Sequence, residues 1–139
     1  MGIFKRASDK SQSGFWKQVT AVMRPGETRV QYAHLRCVSG GEDMKGTLFL
    51  TSEQVIWRVA DPRVPKGSGF EVRIQDLKAC GKGQGVDDPG SFVLGMEQNG
   101  QVGGLLFFPQ HPKDPASVAH ADKMRERIGD ARRQHESWA

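Results

Sequence analysis

Four histidines are the residues of this sequence best suited to acid–base chemistry or metal binding: His34, His111, His120 and His135. None lies at metal-ligand spacing from another histidine or from a cysteine. No serine or cysteine stands with a histidine in an arrangement that identifies a nucleophile and its base. We therefore expect neither an enzyme nor a metal site.

Two further stretches contain residue types that occur in active sites. Gly81–Gly85 is rich in glycine, but its spacing fits neither common nucleotide-binding pattern and no helix pattern follows it. Asp87-Asp88 precedes Pro89-Gly90, which is typical of a turn and not of a catalytic carboxylate pair. We expect no bound nucleotide and no cofactor.

The cysteines and the apolar runs indicate a cellular location. Cys37 and Cys80 are too few for a disulfide framework and too far apart for a zinc knuckle, so we interpret them as free, half-buried thiols. The longest apolar runs, such as Leu105–Phe108, are much shorter than the roughly 18 residues of a membrane-spanning helix. Lys5 and Arg6 are not followed by the apolar stretch of a secretory signal. These features predict a cytoplasmic protein.

The positive charge is concentrated at the N-terminus. The 139 residues have a net charge of +4. Residues 1–26 contain five basic residues and one acidic residue, whereas residues 27–109 contain nine basic and ten acidic residues. A nucleic-acid-binding domain ordinarily carries its basic residues on the folded surface. The charge pattern therefore indicates a basic N-terminal arm and does not favour nucleic-acid binding.

A short amphipathic helix is predicted within this arm. Its apolar residues recur at helical spacing: Phe15, Trp16, Val19, Val22 and Met23. That spacing places them on one face of a helix, and Pro25-Gly26 would end it.

Residues 27–109 change to the period of two that half-buried strands require. The alternation predicts strands at 29–38, 46–51, 54–59, 70–74, 91–98 and 101–108, and a shorter, less regular one around Leu77 and Ala79. Loops are expected at Ser39–Asp43 and Ala60–Gly69. Asn99-Gly100 is the pair that best suits a type I′ hairpin turn.

A C-terminal helix is predicted from about residue 115 to 133. Asp114 before Pro115 has the residue types of a helix start. An apolar stripe follows at spacings of three and four residues: Val118, Ala121, Met124, Ile128 and Ala131. This apolar face must be buried against another element, and we expect it to pack on the open end of a curved sheet. The predicted fold is therefore mainly β: a seven-stranded curved antiparallel sheet, or partly open barrel, capped by this helix.

This order of elements resembles the pleckstrin-homology superfold, and residues 26–108 resemble its GRAM and bacterial branch. The resemblance is carried by Gly26-Glu27, by Gly46–Trp57 (GTLFLTSEQVIW), by Val72–Leu77 (VRIQDL) and by the aromatic strand end Leu105–Phe108. These motifs form the fold and are not catalytic. The resemblance implies a binding module, although one superfold hosts many functions.

The resemblance also implies candidate ligand-binding residues. Phosphoinositide-binding relatives use basic residues on the first two strands, and the third loop can add further charge. The matching positions in this sequence are Arg36 and Lys45, and the residues that could add charge near the third loop are Arg58, Arg63 and Lys66.

The first loop departs from the phosphoinositide-binding pattern. The second basic residue of the family's pair is absent, and Glu42 and Asp43 would repel a polyphosphate headgroup. A solvated loop without a ligand is the alternative for this region.

The N-terminal arm offers a different contact, with an anionic membrane surface. Its candidate residues are Phe4, Lys5, Arg6 and Trp16. Alternatively, Trp16 packs on the domain and the arm inserts nothing.

We therefore predict a non-enzymatic interaction module with a protein partner or an anionic membrane as its target. Its expected location is cytoplasmic, and peripheral at the membrane if the arm contacts lipid. The alternative is a structural subunit that forms a homo-oligomer through the same fold. The predicted divisions are an arm at 1–26, a domain at 27–134 and a tail at 135–139.

Overall fold

The computed structural model describes residues 14–82, 88–98 and 100–138, with the backbone alone for Gln98, Val102 and residues 136–138. Within these residues seven strands form one antiparallel sheet: β1 (Arg29–Ser39), β2 (Glu42–Thr51), β3 (Gln54–Val59), β4 (Gly69–Arg73), β5 (Leu77–Gly81), β6 (Phe92–Gln98) and β7 (Gln101–Pro109). The strand order is β4-β3-β2-β1-β7-β6-β5, so β4 and β5 form its edges. A C-terminal helix, α1 (Pro115–Trp138), follows the last strand. The predicted fold class is confirmed.

The turn between β1 and β2 is shorter than the sequence predicted. Ser39 pairs with Glu42, so only Gly40 and Gly41 connect the strands. Their φ angles of 58° and 84° are the positive values that a type I′ turn requires at both central residues. The expected five-residue loop is therefore wrong, because Glu42 and Asp43 continue β2.

The hairpin between β6 and β7 has the predicted two-residue connection. Gln98 pairs with Gln101, and Gly100 has a φ of 78°. Asn99, the other turn residue, lies outside the described residues. This register aligns Leu94 with Leu105 and keeps the inward alternation of both strands.

Helix α1 closes the main core, as its apolar stripe predicted. Ala121, Met124 and Ile128 have 0% exposure and share a buried cluster with the inner faces of all seven strands. The helix continues to Trp138, beyond the predicted end near residue 133. No glycine or proline between residues 134 and 138 would end it earlier.

A second, smaller cluster lies on the outer face of the sheet. Residues 15–23, which we call the N-terminal segment, pack there against β1, β2 and β3. Trp16 is 5% exposed and its ring centroid lies 5.2 Å from that of Phe49. Val19 and Ile56 are fully buried in the same cluster. The segment is thus packed on the sheet, while the predicted divisions at residues 26 and 134 stay predictions.

The N-terminal segment is not the continuous amphipathic helix that its spacing predicted. Residues 14–16 are helical, residues 17–19 form a turn, and Thr20–Val22 form a 3-10 helix. Backbone hydrogen bonds span three residues, as from the Val22 amide to the Val19 carbonyl. β-Branched residues at 19, 20 and 22 favour an α-helix less than unbranched ones. Across the described part of the chain, no helix has the length and apolar character needed to cross a bilayer.

Candidate functional site

The first two predicted ligand residues lie side by side on the outer face of the sheet. Arg36 on β1 pairs directly with Lys45 on β2. The Arg36 guanidinium forms an ion pair of 2.6 Å with Asp43 and donates through Nε to the Pro109 carbonyl at 3.3 Å. Its central carbon also lies 5.4 Å from the centre of the Phe108 ring. Arg36 is therefore held by contacts within the domain, whereas Lys45 is exposed.

The third predicted residue, Arg58, is structural. Only 8% of it is exposed. Its two terminal nitrogens donate to the Trp57 carbonyl at 3.1 Å and to the Glu71 carboxylate at 2.8 Å. A buried arginine that donates to these internal acceptors ties β3 to β4 and offers little to an external ligand.

The last two predicted residues lie in the connection between β3 and β4. Arg63 donates through two nitrogens to the Asp61 carboxylate, at 2.9 Å and 2.5 Å. These hydrogen bonds and the charge of Arg63 lower the pKa of Asp61 to about 2, so the carboxylate stays ionised at ordinary pH. Lys66 is exposed in the same connection.

The basic residues therefore form no open anion site. Three arginines are paired with carboxylates, and Lys45 and Lys66 are the two candidates that make no ion pair among the described residues. The tight Gly40-Gly41 turn also provides no loop of backbone amides in which a phosphate could sit.

An apolar cavity opens at the end of the barrel where the β1–β2 turn lies, and we call it the apolar mouth. Its volume is about 190 Å³. Its apolar lining comes from five strands and consists of Cys37, Met44, Trp57, Phe70 and Leu105. Exposed Ser39 and Glu42 stand beside these residues. Trp57, Phe70 and Leu105 lie in predicted strands, whereas Met44 lies outside them, and nothing in the spacing of the five residues indicated that they meet at an open end.

Close packing around Trp57 shapes the floor of the apolar mouth. Trp57 is 4% exposed and its ring meets Phe107 edge-on at 5.3 Å. It also lies over Gly46, where an added Cβ would approach the ring to 2.7 Å and the Arg58 carbonyl to 2.3 Å. Gly46 is therefore required for the close approach of β2 and β3.

No catalytic arrangement is present in the described residues. Burial, together with the charge of Asp43, raises the pKa of the Cys37 thiol to about 11, so it is a poor nucleophile at neutral pH. His34 contacts the Thr47 hydroxyl at 2.9 Å through Nδ1, and burial lowers its pKa. In the described part of the chain, no three His, Cys, Asp or Glu side chains are grouped as metal ligands would be.

The candidate membrane contacts fall into two groups. Phe4, Lys5 and Arg6 lie outside the described residues. Trp16 is buried between the sheet and Arg29, whose guanidinium carbon lies 5.7 Å from the ring centre. Packing on Phe49 thus makes the Trp16 ring unavailable to a membrane while the N-terminal segment is docked.

Comparison with known proteins gives matches at the level of structure. The sequence matches no known family profile and no curated protein. The Vps36 N-terminal PH domain is 16% identical, with a TM-score of 0.57 over 83% of this chain and 86% of that one. The hSac2 domain of the human phosphoinositide phosphatase Sac2 is 13% identical, with a TM-score of 0.62 over 94% and 83%.

A third similar structure is a larger protein. The DH/PH domains of PDZ-RhoGEF, in complex with activated RhoA, are 9% identical with a TM-score of 0.60. The match covers 88% of this chain but only 38% of that one. Identities this low establish a shared fold alone. The strand order, the capping helix and these likenesses together show that the chain has a pleckstrin-homology-like fold.

Proposed function

We propose that this chain is a non-enzymatic binding module that recognises a protein partner at the apolar mouth. The observation that carries this proposal is a contrast in chemistry at one end of the barrel. The arginines that could bind phosphate are neutralised by Asp43, Asp61 and Glu71, whereas the cavity is lined by apolar side chains. Such a cavity suits an apolar side chain better than a polyanionic headgroup.

The size of the apolar mouth supports recognition of a side chain. A cavity of about 190 Å³ is smaller than the roughly 300–1,000 Å³ typical of small-molecule sites. Met44, Phe70 and Leu105 are partly exposed around it. An aromatic or aliphatic anchor that enters a partly preformed pocket is the usual centre of a protein interface.

Site-specific photocrosslinking tests this proposal. A photoreactive phenylalanine analogue at Met44 should crosslink a protein partner in cell extract, whereas the same analogue at Lys123, exposed on α1, should not capture that partner. The substitution Leu105→Glu, combined with the probe at Met44, should abolish the crosslink. Equal capture from positions 44 and 123 would contradict a partner site at the apolar mouth.

Membrane contact is a weaker second role that depends on the N-terminal arm. The basic residues Lys5 and Arg6, with Phe4, supply an attraction that does not require the domain. Because Trp16 is packed, we expect only weak, salt-sensitive association with anionic vesicles, and no preference for any inositide. Deletion of residues 1–13 should abolish it in a co-sedimentation assay.

Two finer assignments remain proposals. Membership of the GRAM and bacterial branch rests on the sequence motifs around Gly46–Trp57 and Val72–Leu77. A cytoplasmic location rests on composition. The alternative function, a homo-oligomer built through sheet edges, predicts a concentration-dependent mass in analytical ultracentrifugation, which the binding-module proposal does not require.

A further inference from the structure

Strand β4 has an edge that pairs with no other described strand, and we call it the free edge; its outward backbone groups are directed away from the sheet. The Val59 amide donates to the Ser68 carbonyl and the Ile74 amide donates to the Glu53 carbonyl. In an antiparallel ladder the bonded pairs alternate, so Phe70 and Val72 also bond to β3. The N–H and C=O groups of the intervening residues, Gly69 and Glu71, consequently point outward from β4.

The other edge of the sheet is covered at its start. Arg132 on α1 donates through Nε to the Leu77 carbonyl at 3.2 Å and through a terminal nitrogen to the Lys78 carbonyl at 2.7 Å. These bonds occupy carbonyl groups at the start of β5. The two edges therefore differ, and β4 offers the longer edge to a further strand among the described residues.

A cleft runs along the free edge of β4. Its volume is about 460 Å³, and Glu71, Val72 and Arg73 form one wall. Lys78 on β5 and Met96 on β6 belong to the facing wall. The apolar mouth adjoins this cleft, because it is lined by the preceding β4 residues Gly69 and Phe70. The mouth and the cleft together follow the whole of β4.

Most charged side chains of the cleft form ion pairs within the described residues, and an acidic side chain is the exception. Arg73 pairs with Glu53 at 3.2 Å, and Lys78 pairs with Glu97 at 3.6 Å. Asp76, which follows β4 in the 3-10 helix Ile74–Asp76, is the acidic residue of the cleft that makes no ion pair among the described side chains. A complementary partner would bring a basic residue to this end.

We propose that the protein partner binds as an extended peptide segment that adds a strand to β4. Its main chain bonds to the outward groups of Gly69 and Glu71, one apolar side chain enters the mouth beside Phe70, and a lysine or arginine lies next to Asp76. Main-chain pairing supplies affinity and the alternating side chains supply specificity in this mode of recognition. This inference rests on the proposed function and names the class of partner.

A matched pair of variants tests the strand addition. In Glu71→Pro the outward N–H is lost and the proline ring projects into the cleft, whereas no ladder bond to β3 is removed. Glu71→Ala removes the same acceptor of the Arg58 guanidinium as Glu71→Pro does and keeps the N–H. Peptides selected from a phage-displayed library of random dodecapeptides on the full chain should lose about tenfold or more in affinity for Glu71→Pro. They should bind Glu71→Ala nearly as well as the natural chain.

Hydrogen exchange provides a readout that needs no variant. In the free protein the amide of Glu71 should exchange faster than those of Phe70 and Val72. Addition of a selected peptide as a synthetic compound should slow exchange at Glu71. Unchanged exchange there, with the peptide bound, would overturn the strand addition even if Glu71→Pro failed to fold.

The outcomes separate this inference from the proposed function. Peptides that lose binding to Leu105→Glu but bind Glu71→Pro normally would leave the apolar mouth as the site and refute strand addition. A library that yields no peptide sensitive to either variant would refute both. Selected peptides should also lose affinity for Asp76→Asn. If the natural chain dimerises and Glu71→Pro is monomeric, the edge serves a second copy, which would overturn the proposed partner.

Discussion

Removal of two carboxylates should turn this chain into a stronger binder of anionic membranes. In the double variant Asp43→Asn, Asp61→Asn, the guanidinium groups of Arg36 and Arg63 lose their ion-pair partners. Each pair has one well-exposed member, Asp43 or Arg63, and ion pairs open to solvent contribute little to stability, so the fold should persist. The variant therefore tests whether the ion pairs neutralise the arginines.

The size of the effect follows from the two arginines that are released. One basic residue near an anionic surface strengthens binding about fivefold, so two should give about thirtyfold. Co-sedimentation with vesicles rich in phosphatidylserine measures this at low ionic strength. The gain should shrink as salt is raised, because the attraction is screened beyond about 10 Å at 0.1 M.

The control is the double variant Asp88→Asn, Asp114→Asn, which changes the net charge equally. Neither carboxylate belongs to an ion pair found among the described residues. The side-chain oxygen of the asparagine introduced by Asp114→Asn can still accept the helix-capping bond from the Ala116 amide. This control should gain much less affinity for the vesicles. An equal gain in both variants would show that net charge alone governs binding, and no gain in Asp43→Asn, Asp61→Asn would refute the neutralisation argument.

Three further predictions concern packing and thiol chemistry. Ile128→Ala should lower the free energy of unfolding by about 2–5 kcal/mol in urea denaturation, because the side chain is fully buried under the sheet. Gly46→Ala should lower the free energy of unfolding by about 1–3 kcal/mol, because the added Cβ would meet the Arg58 carbonyl. Gly103→Ala, with open space around it, should leave the free energy of unfolding nearly unchanged. Equal effects of the two substitutions would contradict the packing of Trp57. Burial raises the pKa values of Cys37 and Cys80 to about 11. Iodoacetamide should therefore alkylate both thiols slowly at pH 7 and faster as the pH approaches 11. Rapid alkylation of the folded protein at pH 7 would contradict their burial.

Local patterns were sufficient for the elements of this fold. The alternation in Arg29–Val38 and Phe70–Ile74 predicted strands because side chains of a strand point alternately to two faces. The spacing of Ala121, Met124 and Ile128 predicted a buried helix face, because residues three and four apart lie on the same side of a helix. Such periodicities are set by backbone geometry over a few residues, so the sequence alone reveals them.

Turn and end geometry were harder to predict. The alternation from Glu42 to Lys45 is weak, because both faces of β2 are partly exposed there, so its strand start was missed. The apolar spacing of Phe15–Met23 predicts an α-helix, whereas the segment that packs Trp16 on the sheet is a turn and a 3-10 helix. The start of β2 follows from the local Gly40-Gly41 turn, whereas β-branched residues and the packing of Trp16 on the sheet together oppose a continuous α-helix.

The candidate site depended on information that the linear sequence does not contain. The basic residues could be named from the sequence, but their partners could not, because the β3–β4 register brings Arg58 to Glu71 and the β1–β2 turn brings Arg36 to Asp43. The open edge at β4 likewise exists because strand order leaves it without a neighbour. Periodicity determines which face a residue occupies, whereas the pairing of strands decides that Arg36 and Arg58 are neutralised and which surface stays available to a partner.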